Sequence, residues 1–248
     1  MTEIGLVGGE ELYLTRQADP RFKQKKEEAF LDALAACRFE EALHILESSG
    51  VTVSPDCVRT FRCTGSEADP NREPGEKEYH LWCGEGQYAF GEDPCAYTYP
   101  ALTVAMIAGT PRGSAHPSIS DRVTVQDARK HMAREPQVVE VVKRLIAMKA
   151  NVNATGEESH DGGSWARAAP QGKTPLCAAV QRGSLELVQL LLEAGADPKH
   201  EATMGSKKLT AADFVNEVVL DSVNARHSSD PRLAQKEEIL ALLKEASA

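Results

Sequence analysis

Apolar positions between residues 174 and 198 fall into two short helical stripes separated by a glycine. Leu176 and Ala179 share one face of a first helix, and Leu185, Val188, Leu191 and Leu192 recur at helical intervals along a second. Polar and special residues mark the ends. Thr174 is placed to cap the first helix by accepting a backbone N–H, and Pro175 takes the first helical position, where no N–H is needed. Gly183 and Gly195 stand where each helix ends through the left-handed region, which a residue without Cβ enters freely. Asp197-Pro198 then opens a turn. The pattern predicts two antiparallel helices followed by a projecting hairpin.

A lone pair of this kind cannot bury its own apolar faces and needs stacked neighbours. The Thr-Pro pair, the two glycines and the apolar positions together resemble one ankyrin repeat. Downstream, Leu209 lies 33 residues after Leu176, the period of that family, and Ile239 to Leu243 supply a second helix beyond an insert. Upstream, Ala101 to Gly109 resembles a first helix, and Val139 to Ala150 a second helix that runs into a hairpin at Asn151-Val152-Asn153. Lys149 then stands where Gly195 stands one repeat later, and is expected to be left-handed. Leu31 and Leu43 anchor an atypical first repeat without Thr-Pro, as a terminal cap would be. The expected fold is all-α: one solenoid of four helix pairs with short hairpin fingers, long inserted loops and no central sheet. Repeats are expected at about residues 24–55, 97–154, 172–202 and 205–247, after an N-terminal extension over 1–23.

Four inserts separate these parts. The first, residues 56–97, carries nine acidic and four basic side chains and four of the six cysteines. His80 and Cys83 have a spacing that can converge on one metal ion, and with Cys63 and Cys95 (or Cys57) they make a candidate zinc site. The alternative is a set of free thiols packed against Trp82, Tyr88, Phe90 and Tyr97. The second insert, 110–137, is basic through Arg112, Arg122, Arg129, Lys130 and Arg134. It predicts a helix from Thr124 that Pro136 stops, either lying on the stack or docking an acidic partner. The third, 155–170, is polar with a single tryptophan, Trp165. The fourth, 215–235, places Val215, Val218, Val219 and Val223 at helical spacing and should prolong the preceding helix.

Composition narrows the function classes. A net charge of −9 over 248 residues argues against nucleic acid as the main partner, because phosphate contacts need a basic face. No apolar run is long enough to span a membrane, and the N-terminal residues lack a secretory stretch, which points to a cytoplasmic protein. The cysteines are then expected as thiols or metal ligands rather than disulfides. Neither a Gly-rich phosphate loop nor a nucleophile elbow is present, so no enzyme and no cofactor beyond the candidate zinc is expected. The resemblance implies protein binding through finger tips and the helix surface, either as a scaffold or as a subunit of a larger assembly. Lys199, His200 and Glu201 fall where a finger tip is expected, with Trp165 and Trp82 as aromatic anchors. The segment Leu145 to Asn153 is also similar to the hairpin that asparaginyl hydroxylase modifies in ankyrin proteins, and Asn153 is the matching position.

Overall fold

Among the described residues, eight helices pair off along the chain of the computed structural model. It describes residues 20–48, 52–63, 95–108, 133–160, 170–204, 207–215 and 235–248, with backbone alone for 61–63, 95–97, 158–160, 170 and 204. Each repeat has an A helix and a B helix: α1 (Pro20–Ala35) and α2 (Phe39–Glu47), α3 (Ala101–Ile107) and α4 (Glu135–Ala147), α5 (Pro175–Arg182) and α6 (Leu185–Glu193), α7 (Ala211–Asp213) and α8 (Lys236–Ala246). A helices pack against A helices and B helices against B helices in chain order. Phe30, Leu102, Leu145, Leu176, Leu191 and Leu243 belong to one continuous core between the two layers.

The ends of these helices follow from their residues. Thr174 Oγ1 accepts from the Cys177 N–H at 3.3 Å and Ser184 Oγ from the Leu187 N–H at 3.2 Å. Thr210 and Asp213 form a reciprocal capping box on α7. Gly183 and Gly195 are left-handed, with φ of 74° and 90°. Lys149 has φ of 69°, in line with its alignment to Gly195, and Cys37 with φ of 57° holds the place of Gly183. Pro136 sits in the first turn of α4, where its missing N–H costs nothing; the helix expected to end at it lies outside the described residues. α1 begins at Pro20, ahead of the limit expected at residue 24.

Two alignments shift. Thr210 caps α7 as Thr174 caps α5, so Ala212, and not Leu209, is the counterpart of Leu176. Leu209 ends a strand and is buried there, and that burial lets it imitate a helix position in the sequence. In the first repeat the left-handed Cys37 puts Phe30, one residue before Leu31, in the place of Leu176. That helix lacks Thr-Pro, so nothing in its sequence fixes the phase.

The expectation of an all-α fold is corrected. The fingers carry β1 (Val58–Cys63), β2 (Cys95–Pro100), β3 (Gly156–His160), β4 (Pro170–Lys173), β5 (Ala202–Met204) and β6 (Lys207–Leu209). They form one six-stranded antiparallel sheet in sequence order. Each finger is a hairpin, and its outer strand also pairs with the next finger. Spacing explains why this is possible. Two strands advance the sheet by about 9.5 Å, close to the 8–10 Å between packed helices, so both layers keep the same step per repeat. Extended fingers also leave backbone N–H and C=O groups that the neighbouring finger satisfies.

Candidate interaction surface

The base of the sheet is anchored in the core. Tyr99, the last residue but one of β2, is fully buried. It stands opposite Arg59 of β1, and its ring lies against Gly156, which faces Lys173 of β4. Arg59 pairs with Asp32 of α1, which ties the first finger to the first A helix. Lys173 is buried, with Nζ 5.9 Å from the centre of the Tyr99 ring, a cation held over an aromatic face. Gly156 makes this possible. A Cβ there would fall within the Tyr99 ring and 2.9 Å from the Thr98 carbonyl oxygen.

One register position further out, a polar row crosses all six strands: Thr60, Thr98, Glu157, Gln171, Thr203 and Lys208. All are exposed except the half-buried Thr98, and the Thr60 and Thr98 hydroxyls share a hydrogen bond of 2.9 Å. The row offers hydroxyl, carboxylate, amide and ammonium groups in a line on a rigid backbone. Such a surface suits recognition of another polar surface, with the strands fixing the spacing.

Side chains at the finger bases lock successive repeats together. Asp56 Oδ1 accepts from the Asn151 N–H at 2.7 Å. Asn153 Oδ1 accepts from the Asp197 N–H at 2.8 Å, while its Nδ2 donates to the Gly195 carbonyl at 3.1 Å. His200 Nε2 lies 3.0 Å from the Gly172 carbonyl oxygen. Thus Lys199, His200 and Glu201 lie at the base of the third finger, before β5, and not at its tip. Their position follows from the strands that the sequence did not reveal. Glu201 pairs with Lys208 across the finger at 2.8 Å, and Lys199 stays exposed. Asn153 is exposed as a residue, but its carboxamide is engaged on both sides.

The cysteines divide by depth. Burial pushes the Cys57 thiol up to about 12, and burial likewise raises Cys177, so neither is poised as a nucleophile. Cys37 opens on a cleft lined by Arg38, Glu40, Arg134 and Gln137. Burial raises its thiol, and Arg134 and Arg182 offset part of that rise. Among the residues with described side chains, no three His, Cys, Asp or Glu are grouped to hold a metal. Of the candidate zinc ligands, Cys63 and Cys95 are brought opposite one another in β1 and β2. His80 and Cys83 lie outside the described residues, as do Trp82 and Trp165, the helix expected from Thr124, and Val218 to Val223.

The polar row itself escaped the residue-level reading. Val58-Arg59-Thr60-Phe61-Arg62 and Ala96-Tyr97-Thr98-Tyr99 are rich in β-branched and aromatic residues, which is the signal that could have found it. Among the described residues no helix is long and apolar enough to cross a membrane. No curated protein matches the chain. Residues 129–202 match the family described as ankyrin repeats (3 copies). They span the second B helix, the second finger and the third repeat, whose caps and left-handed turns are described above. Over that segment the chain is similar to ankyrin repeats, and the described helix pairs on either side of it stack in the same order.

Proposed function

We propose that the chain is a non-catalytic scaffold that binds a protein partner along the polar row of its finger sheet. One observation carries this reading: six strands from three fingers align polar side chains, all but Thr98 exposed, in a single row above a buried base. Ankyrin repeats in general mediate protein–protein contacts, and a continuous sheet presents those contacts at fixed intervals. Trp165, between β3 and β4 in the sequence, would add an aromatic anchor for the same partner. The acidic overall charge favours a protein over a nucleic acid as partner.

The test reverses charge on the row. Glu157→Lys with Lys208→Glu should leave the melting temperature nearly unchanged, since both side chains are exposed and the Lys208–Glu201 pair that is lost is a surface one. Proteins captured quantitatively from native extract by the natural chain should be lost by the variant. Trp165→Ala should weaken the same contact by about 2 kcal/mol. Capture unchanged by the charge reversal would remove the row as the binding surface.

A further inference from the structure

The first A helix starts early. The left-handed Cys37 aligns α1 with α5 so that Ala29 holds the place of Pro175. α1 nevertheless begins at Pro20, and the stretch from Pro20 to Glu28 adds about 13 Å of helix at about 1.5 Å per residue. That stretch gives nothing to the core, since the buried residues of α1 begin at Phe30. Residues 20–25 are all exposed. Arg21, Lys23, Lys25 and Lys26 come before the first acid, Glu27, and the first turn holds no acidic residue. Cations at a helix N-terminus oppose its dipole, so the helix itself gains nothing from them.

Phe22 stands among these cations and is 45% exposed, and Val58 of β1 is 53% exposed. Among the described residues they are the large apolar side chains left open to solvent, and both belong to the first repeat. α1 and β1 are in contact, with Arg59 paired to Asp32 and donating to the Glu28 carbonyl at 3.5 Å. A terminal repeat that meets only water needs a polar outer face. Exposed apolar side chains flanked by charges of one sign are instead the composition of an interface.

We infer that this end of the stack docks a short acidic segment of a partner protein, with carboxylates on Lys23 and Lys25 and an apolar side chain against Phe22. Charge complementarity selects the occupant. The chain carries −9 overall, and the cations are bordered by Glu27, Glu28 and Glu47, the last beside the Ser48 carbonyl that Lys26 reaches at 3.1 Å. An extended polyanion, such as nucleic acid or an anionic bilayer, would run onto those carboxylates. A short segment meets the cations alone. Lys23 is held by Glu27 at 3.8 Å, an exposed pair of small worth, so an incoming carboxylate displaces it readily. The patch shares no residue with the polar row, so this inference and the contact proposed there stand or fall separately.

A dye-labelled synthetic peptide of glutamate and leucine would be titrated against the full-length chain, with a peptide of glutamine and leucine as control. Phosphatidylserine vesicles and duplex DNA are run beside them. Binding of the acidic peptide is expected, and it should weaken as added salt screens the charges. Lys23→Gln with Lys25→Glu should lower the affinity at least about 10-fold, because the patch loses most of its positive charge. The same changes remove cations from a helix N-terminus, so circular dichroism should keep its helical signal. Phe22→Ser should cost about 10-fold as well, as truncation of an interface aromatic does. Should the double variant lose helix, the salt dependence and Phe22→Ser decide the matter. An acidic peptide that does not bind, that binds the folded variants equally well, or that is matched by the glutamine peptide, the vesicles or the DNA overturns the docking site.

Discussion

Two residues show how the same amino acid can be required for different reasons. At Gly195 nothing lies within 4 Å of an added Cβ, so its left-handed φ is the reason for glycine. Lys149 occupies the equivalent position one repeat earlier with φ of 69° and bears the steric cost of its Cβ. Lys149→Gly is therefore expected to stabilise the fold by about 0.5–1 kcal/mol, after the extra freedom that glycine gives the unfolded chain. Equilibrium denaturation in urea checks it, and a clear loss would mean that the lysine side chain contributes packing that outweighs the strain. Gly156 has the opposite character. Space is the constraint there, and Gly156→Ala must displace the buried Tyr99 ring. A loss of about 1–3 kcal/mol is expected from overpacking, read as a lower melting temperature.

Among elements, the B helices can be read from residues alone and the strands cannot. α4 and α6 carry an apolar stripe that ends at a left-handed residue, and both signals are local. The strands are three to six residues long, and among their described side chains burial falls at the base, at Tyr99, Lys173, Ala202 and Leu209, so it marks a gradient along the strand rather than alternate faces. Tyr99 and Leu209 are the products of that gradient. The polar row was hidden for a related reason, because its members are brought together by pairing between segments far apart in the chain.

Arg182 is a second case of long-range pairing. Its guanidinium is fully buried and donates to Glu135 Oε2 at 2.6 Å and to the Met106 carbonyl at 3.0 Å. Burial lowers its pKa, and Glu135 opposes that shift. It closes the carbonyl end of α3 and holds the start of α4. Arg182→Ala leaves a partly buried carboxylate and open carbonyls, and should cost about 3 kcal/mol in chemical denaturation. A loss below about 1 kcal/mol would show that water replaces the guanidinium there.

For the molecule as a whole, the joint between fingers matters more than any one helix. In a stack held by side chains, each repeat can loosen from its neighbour at modest cost. Here the pairing of β2 with β3 and of β4 with β5 runs backbone hydrogen bonds from one repeat to the next along one margin. The opposite margin, where the B helices lie, has packing alone to resist deformation. Bending is then unequal in its two senses. Splaying the fingers apart must break a ladder, whereas fanning the B helices only shears apolar contacts. The protein is a strip with one inextensible edge, and a partner that reshapes it will do so by opening the helical side while the finger side acts as the spine.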